Sequence, residues 1–192
     1  MKSYPEAWER YCNNCEENNL SQGLHMEDLF ILLEESEKIP QGGTYVEIGV
    51  SNGSSLLAVS QFRPDVKCYG IEIGDFSPAT QMIAKLDIKN VELFFGKGAE
   101  VVCKTWDKEI DLLFIDGEHY FPNIFWDYVG WSPFVKNSGA FIFHDMEPLA
   151  SARFDVAKAL QIFLDNPKYT SYFPALQDII SSSMVVVKKQ TK

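Results

Sequence analysis

Between Thr44 and His144, short apolar runs alternate with segments of helical periodicity. No other feature constrains the fold as tightly. Thr44–Ile48, Val66–Glu72, Val91–Phe95, Leu112–Asp116 and Ala140–His144 read as strands. Gly53–Phe62, Ser77 to about Leu86, Ala99–Lys104 and Pro122–Val135 read as the helices between them. Ser51 or Asn52 opens the first of these, and Ser77-Pro78 supplies an N-cap and first-turn proline for the second. Strands separated by helices pair in parallel, because a parallel connection needs a crossover of about a dozen residues. Runs such as Leu112-Leu113-Phe114-Ile115 suit strands covered on both faces. The fold class is therefore α/β, a Rossmann-like, doubly wound sheet.

The ending breaks the alternation. After a helix at about Ser151–Leu164, two strand-like segments, Tyr169–Phe173 and Ser183–Lys189, follow without a good helix between them. An antiparallel C-terminal strand pair at one edge makes the sheet seven-stranded and otherwise mostly parallel. Residues 44–189 form this core, and 1–192 is read as a single domain. Residues 1–40 are a helical cap and the main candidate for a pocket cover. They hold nine acidic against three basic residues, with Leu29–Leu33 between Glu27-Asp28 and Glu34-Glu35, a helix with one wet face.

Charge and cysteine content narrow the function. A net charge of -10 without a basic stripe argues against nucleic-acid binding. No apolar run reaches the roughly 20 residues of a membrane span, and Met1–Arg10 lacks the apolar stretch of a signal peptide. Cys12, Cys15, Cys68 and Cys103 are expected to be free thiols of a cytoplasmic protein. Cys12-Asn-Asn-Cys15 has metal or redox spacing, but no second such pair follows it. The expected partner is a small-molecule substrate, with no nucleic acid and no membrane; a homo-oligomer stays open.

In an open α/β sheet, ligands sit beyond the carboxyl ends of the strands. The first strand runs into Glu47-Ile48-Gly49-Val50-Ser51-Asn52-Gly53-Ser54. Two glycines there let the backbone turn sharply ahead of a helix N-terminus. Glu72 ends the second strand, about 20 residues on, where an acid holds a ribose diol. His119 and His144, two of only three histidines, fall with Asp116 and Asp145 at two further strand ends. The aspartates suit a hard cation, and a histidine of ordinary pKa about 6.5 suits a general base. The aromatic residues from Tyr120 to Phe134 fall mostly at helical spacing, leaving Tyr120 and Phe121 for a pocket. Asp127 reads as solvated or structural.

Glu47-x-Gly49-x-x-x-Gly53 followed by Glu72 resembles the first two motifs of class I S-adenosylmethionine-dependent methyltransferases. Phe114-Ile115-Asp116-Gly117-Glu118-His119-Tyr120, Asp127, Trp131, Gly139 and His144-Asp145 are similar to its small-molecule O-methyltransferase and cephalosporin hydroxylase-like branch, methyltransferase family 24. The resemblance covers about residues 24–189. It implies S-adenosylmethionine as cofactor and methyl transfer to a hydroxyl oxygen. It implies cofactor binding by Glu47, Gly49, Ser51, Gly53, Ser54, Glu72, Ile73, Gly98 and Asp116, with Glu47 near the amino group. Adenine would lie near Gly96–Ala99, although Lys97 stands where relatives commonly carry an acid or amide. His119 and Asp116 become the catalytic residues, and Asp116, His144 and Asp145 a metal site for Mg2+. Nitrogen ligation by His144 does not favour that ion. A nicotinamide-dependent oxidoreductase, a hydroxylase-like enzyme and a non-catalytic cofactor-binding protein are the alternatives.

Overall fold

Thr44–Ile48 forms strand β1, flanked by β2 (Lys67–Glu72) on one side and β4 (Ile110–Ile115) on the other. These belong to a computed structural model that describes residues 3–74, 77–118, 120, 122–145 and 183–189. With β3 (Val91–Phe95), β5 (Val135–Phe143) and β6 (Val185–Lys188), the strand order is β3-β2-β1-β4-β5-β6. The first five are parallel, and β6 runs antiparallel to β5. The direction of winding therefore reverses between β1 and β4, and a crevice opens at their carboxyl ends. Six strands are thus seen rather than seven; the expected strand Tyr169–Phe173 and helix Ser151–Leu164 lie outside the described residues.

Side-chain alternation along each strand divides the core into two layers. Val46, Ile48, Leu113, Ile115, Phe141 and Phe143 face α5 (Ala99–Val102) and α6 (Asn123–Trp131). Tyr128 and Trp131 fill that layer, as the helical spacing of the aromatics predicts, and Trp106 joins them from beyond α5. On the opposite face, Tyr45, Leu112, Phe114 and Ile142 meet α1 (Tyr4–Glu17), α2 (Met26–Glu37) and α3 (Ser54–Phe62). The remaining helix, α4 (Ser77–Lys85), contributes Ala79 to this second layer.

Two expectations change. β5 begins at Val135, not Ala140, and α6 stops at Trp131. A register irregularity between Ile110 and Leu112 carries β5 through the polar stretch Lys136–Gly139, which reads in sequence as a break. The N-terminal segment holds two helices. The first is capped by Ser3, whose Oγ accepts from the Glu6 amide at 3.4 Å, and it buries Tyr11 and Cys15.

Neither helix lies over the crevice as a cover. Leu29, Leu32 and Leu33 are fully buried against the sheet. Asp28, also fully buried, accepts from the Ser183 amide at 3.0 Å and the Ser183 hydroxyl at 3.1 Å, pinning the start of the last strand to α2. The α1–α2 loop instead braces the glycine turn from behind. Asn52 Nδ2 donates to the Ser21 carbonyl at 2.8 Å, and the Tyr11 hydroxyl lies 3.5 Å from Ser54 Oγ. Among the described residues, no helix is long and apolar enough to cross a membrane.

Candidate active site

The crevice is a cavity of about 590 Å³ beyond the carboxyl ends of β1, β2 and β4. Gly49 (φ +87°) lines it in the left-handed backbone region, and Gly53 (φ +90°), also left-handed, ends the same turn at the start of α3. A Cβ at Gly49 would collide with the Asp116 carbonyl and lie 2.5 Å from Gly117 Cα; at Gly53 it would lie 2.6 Å from Ala79 Cβ. Both glycines are therefore required by close approach as well as by turn geometry. Ser51 (φ +49°) and Asp145 (φ +56°) are left-handed without being glycine, and both stand at this same edge.

Glu72 is held in place by the turn it faces. Its Oε2 accepts from the Ser51 amide at 2.9 Å and its Oε1 from the Gly74 amide at 2.8 Å. Each carboxylate oxygen has a further lone pair, so a vicinal diol in the cavity can still donate to it. Ile73 next to it is 72% exposed, an apolar shelf on the cavity wall. Ser51, Gly98 and Asp116 line the same cavity, so most of the sequence-expected cofactor residues converge.

Glu47 lies elsewhere. It is completely buried beneath the cavity floor, where it accepts from the Tyr45 hydroxyl and Ser55 Oγ, each at 2.6 Å. Burial pushes its carboxyl up to about 8, assisted by the Asp116 charge and opposed by those hydrogen bonds and by His144. A raised folded-state pKa means that the protonated form favours folding. That stability is complete at acidic pH and drains as pH rises through about 8. Glu47→Gln, which keeps the shape and cannot ionise, is expected to lose less melting temperature than the native chain between pH 6 and pH 9. Parallel slopes in thermal unfolding across that window would contradict this.

At the ends of β4 and β5, His144 Nδ1 lies 2.9 Å from Asp116 Oδ1 and 3.3 Å from Asp145 Oδ2. Its Nε2, buried and without a hydrogen bond, faces Asp28 Oδ2 at 3.8 Å. Burial opposes the imidazolium, but the carboxylates of Asp116, Asp145 and Asp28 outweigh it and push His144 up to about 12. This is a cationic histidine among acids. The three residues nevertheless bring one ligand atom each within 4.8 Å of one another. A divalent cation there would displace the imidazole proton and accept nitrogen as a ligand. The donor set thus departs from the oxygen shell that magnesium takes.

His119 and Phe121 lie outside the described residues, while Tyr120 is half-exposed. Asp127, expected to be solvated or structural, lines the cavity together with Glu100, Glu118 and Asn123. Helical spacing puts Asn123 and Asp127 on the face of buried Trp131 but carries no sign that this face borders a cavity. The Cys12-x-x-Cys15 pair is free thiol within α1, and burial pushes Cys15 up to about 11, away from nucleophilic or ligating thiolate.

A family model described as a methyltransferase domain matches residues 46–146. No curated protein matches the chain. Among solved structures, a Staphylococcus aureus protein provisionally named a caffeoyl-CoA O-methyltransferase superposes with a TM-score of 0.71 at 18% identity, covering 98% of this chain and 93% of its own. Podospora anserina methyltransferase PaMTH1, solved with bound S-adenosylhomocysteine, gives 0.69 at 15% identity over 100% and 89%. An rRNA methylase of Streptococcus thermophilus gives 0.59 at 17% over 89% and 100%. At such identities the likeness establishes the fold.

Proposed function

The chain belongs to the methyltransferase-domain family, and from that premise we propose that it binds S-adenosylmethionine in the 590 Å³ cavity and methylates a hydroxyl oxygen of a small molecule. The observation that carries this is Glu72, a carboxylate locked by two backbone amides opposite the glycine turn and open to a ribose diol. When bound, the cofactor supplies a sulfonium methyl whose bonding pair leaves with sulfur. Gly49 gives its amino-acid part room against the backbone beside Ser51, and Gly98 lines the cavity further along; Gly53 and Ser54 follow at the start of α3, outside that lining. Alignment of two reactants is itself a large part of such catalysis.

The acceptor hydroxyl loses its proton to the imidazole of His119, three residues beyond Asp116 in sequence. Asp116 faces the cavity in an orientation set by the His144 Nδ1–H bond. The Asp116–His144–Asp145 set mixes an imidazole nitrogen with carboxylates, unlike the oxygen shell of magnesium, and the reading gives that ion no role. A net charge of -10 favours a small acceptor over RNA, and four free cysteines suit a reducing cytoplasm.

Calorimetry with S-adenosylhomocysteine tests the reading. The native chain is expected to bind it, and Glu72→Ala to weaken binding about 100-fold, since two hydrogen bonds to a charged acceptor disappear. No binding, or an undiminished affinity in Glu72→Ala, would overturn it.

A further inference from the structure

The nucleoside reading leaves the base without an acceptor beside Gly98, because Lys97, which lines the cavity there, can donate but not accept. The geometry supplies one from a different element. Trp131 Nε1 donates to the Ala99 carbonyl at 3.2 Å, fastening α6 beneath the start of α5. Asp127, one helical turn earlier on the same face, lines the cavity together with Gly98, Ala99 and Glu100. Its Oδ2 leans over the end of β4, where a Cβ on Gly117 would lie 3.6 Å away. No hydrogen bond ties this carboxylate to another described residue. A second cavity, of about 390 Å³, opens behind it, and Glu100, Asn123 and Asp127 line both. Asp127 therefore borders both cavities, within reach of a polar group held in either.

We propose that Asp127 is the base-reading residue of the cofactor site, accepting a hydrogen bond from the exocyclic amine of adenine. This rests on the nucleoside reading above and adds the residue that distinguishes an aminopurine from an oxopurine. Burial first, then the charges of Glu100 and Glu118, push the Asp127 carboxyl up to about 7. A carboxylate crowded in this way gains from a donor brought into its plane. An oxopurine presents a carbonyl instead, which sets acceptor against acceptor at pH values above about 7, where the carboxyl is ionised, and mismatched polar groups in a partly buried site discriminate strongly.

The test is calorimetry with S-adenosylhomocysteine and S-inosylhomocysteine, which differ in that amine. The native chain is expected to prefer the adenosyl compound by about tenfold or more, the scale of one hydrogen bond to a charged group. Asp127→Asn, whose amide can accept from an amine or donate to a carbonyl, is expected to erase most of that preference by raising S-inosylhomocysteine affinity, while circular dichroism stays near native. Equal affinities in the native chain overturn the proposal without any variant being needed. An undiminished preference in folded Asp127→Asn also overturns it, yet leaves the nucleoside reading standing. If the native chain binds neither compound, both readings fall together.

Discussion

Gly49→Ala is expected to yield no chain that both folds cooperatively and binds S-adenosylhomocysteine. The new methyl group would collide with the carbonyl of Asp116 and the Cα of Gly117, both main-chain atoms of β4's end. Backbone cannot rotate aside as a side chain can, so relief must come from parting β1 and β4 where the crevice opens. The left-handed φ of +87° adds about 1–2 kcal/mol for any residue with a Cβ. Gly42→Ala isolates that second contribution. Gly42 is equally left-handed, at +75°, but nothing lies within 4 Å of a Cβ there. It should therefore lose only about 1–2 kcal/mol in denaturant unfolding and bind normally. Similar losses in the two variants would show that backbone conformation, not close approach, is the reason for glycine at 49.

Much of this crevice was legible because parallel strands buried on both faces must be apolar nearly throughout, and Thr44–Ile48 falls where the pattern predicts; Val91–Phe95 does too, although as the edge strand it is only partly buried. Strand-end chemistry follows from that placement, so Glu72, Asp116, His144 and Asp145 meet near one edge. What escaped was whatever depends on a third dimension. A strand that runs on past its apolar half, as β5 does through Lys136–Gly139, carries no alternating signal at its exposed end. Glu47 belongs to the expected motif, yet its position within β1 turns it to the α3 face, where Tyr45 and Ser55 occupy its oxygens. Asp127 sits on a helix whose periodicity reveals a packed face but not that the face passes beside a cavity. The approach of Asp28 to His144 joins distant parts of the chain, and no local pattern records it.

That approach makes the N-terminal helices part of the fold, and a chain lacking residues 1–40 is expected to be unfolded or aggregated. Leu29, Leu32 and Leu33 are fully buried in the layer that also holds Tyr45, Phe114 and Ile142. Truncating one such leucine costs about 2–5 kcal/mol, so losing all three exceeds much of the 5–15 kcal/mol by which domains of this kind are stable. Polar losses compound the apolar ones. Ser183 would lose both of its bonds to Asp28. The Arg63 guanidinium, now donating to the Ser36 and Ile39 carbonyls, would keep only Asp65. The single substitution Leu32→Ala should lower the folded chain's stability by about 2–5 kcal/mol in urea unfolding. A detachable cover would behave differently, because removing it would expose the cavity and leave the melting temperature near native. A soluble, cooperatively melting chain without residues 1–40 would therefore return α1 and α2 to the role of a lid. Loss of folding on deletion, together with a graded loss in Leu32→Ala, would instead make them the second wall of the core, with Asp28 the link through which that wall reaches His144.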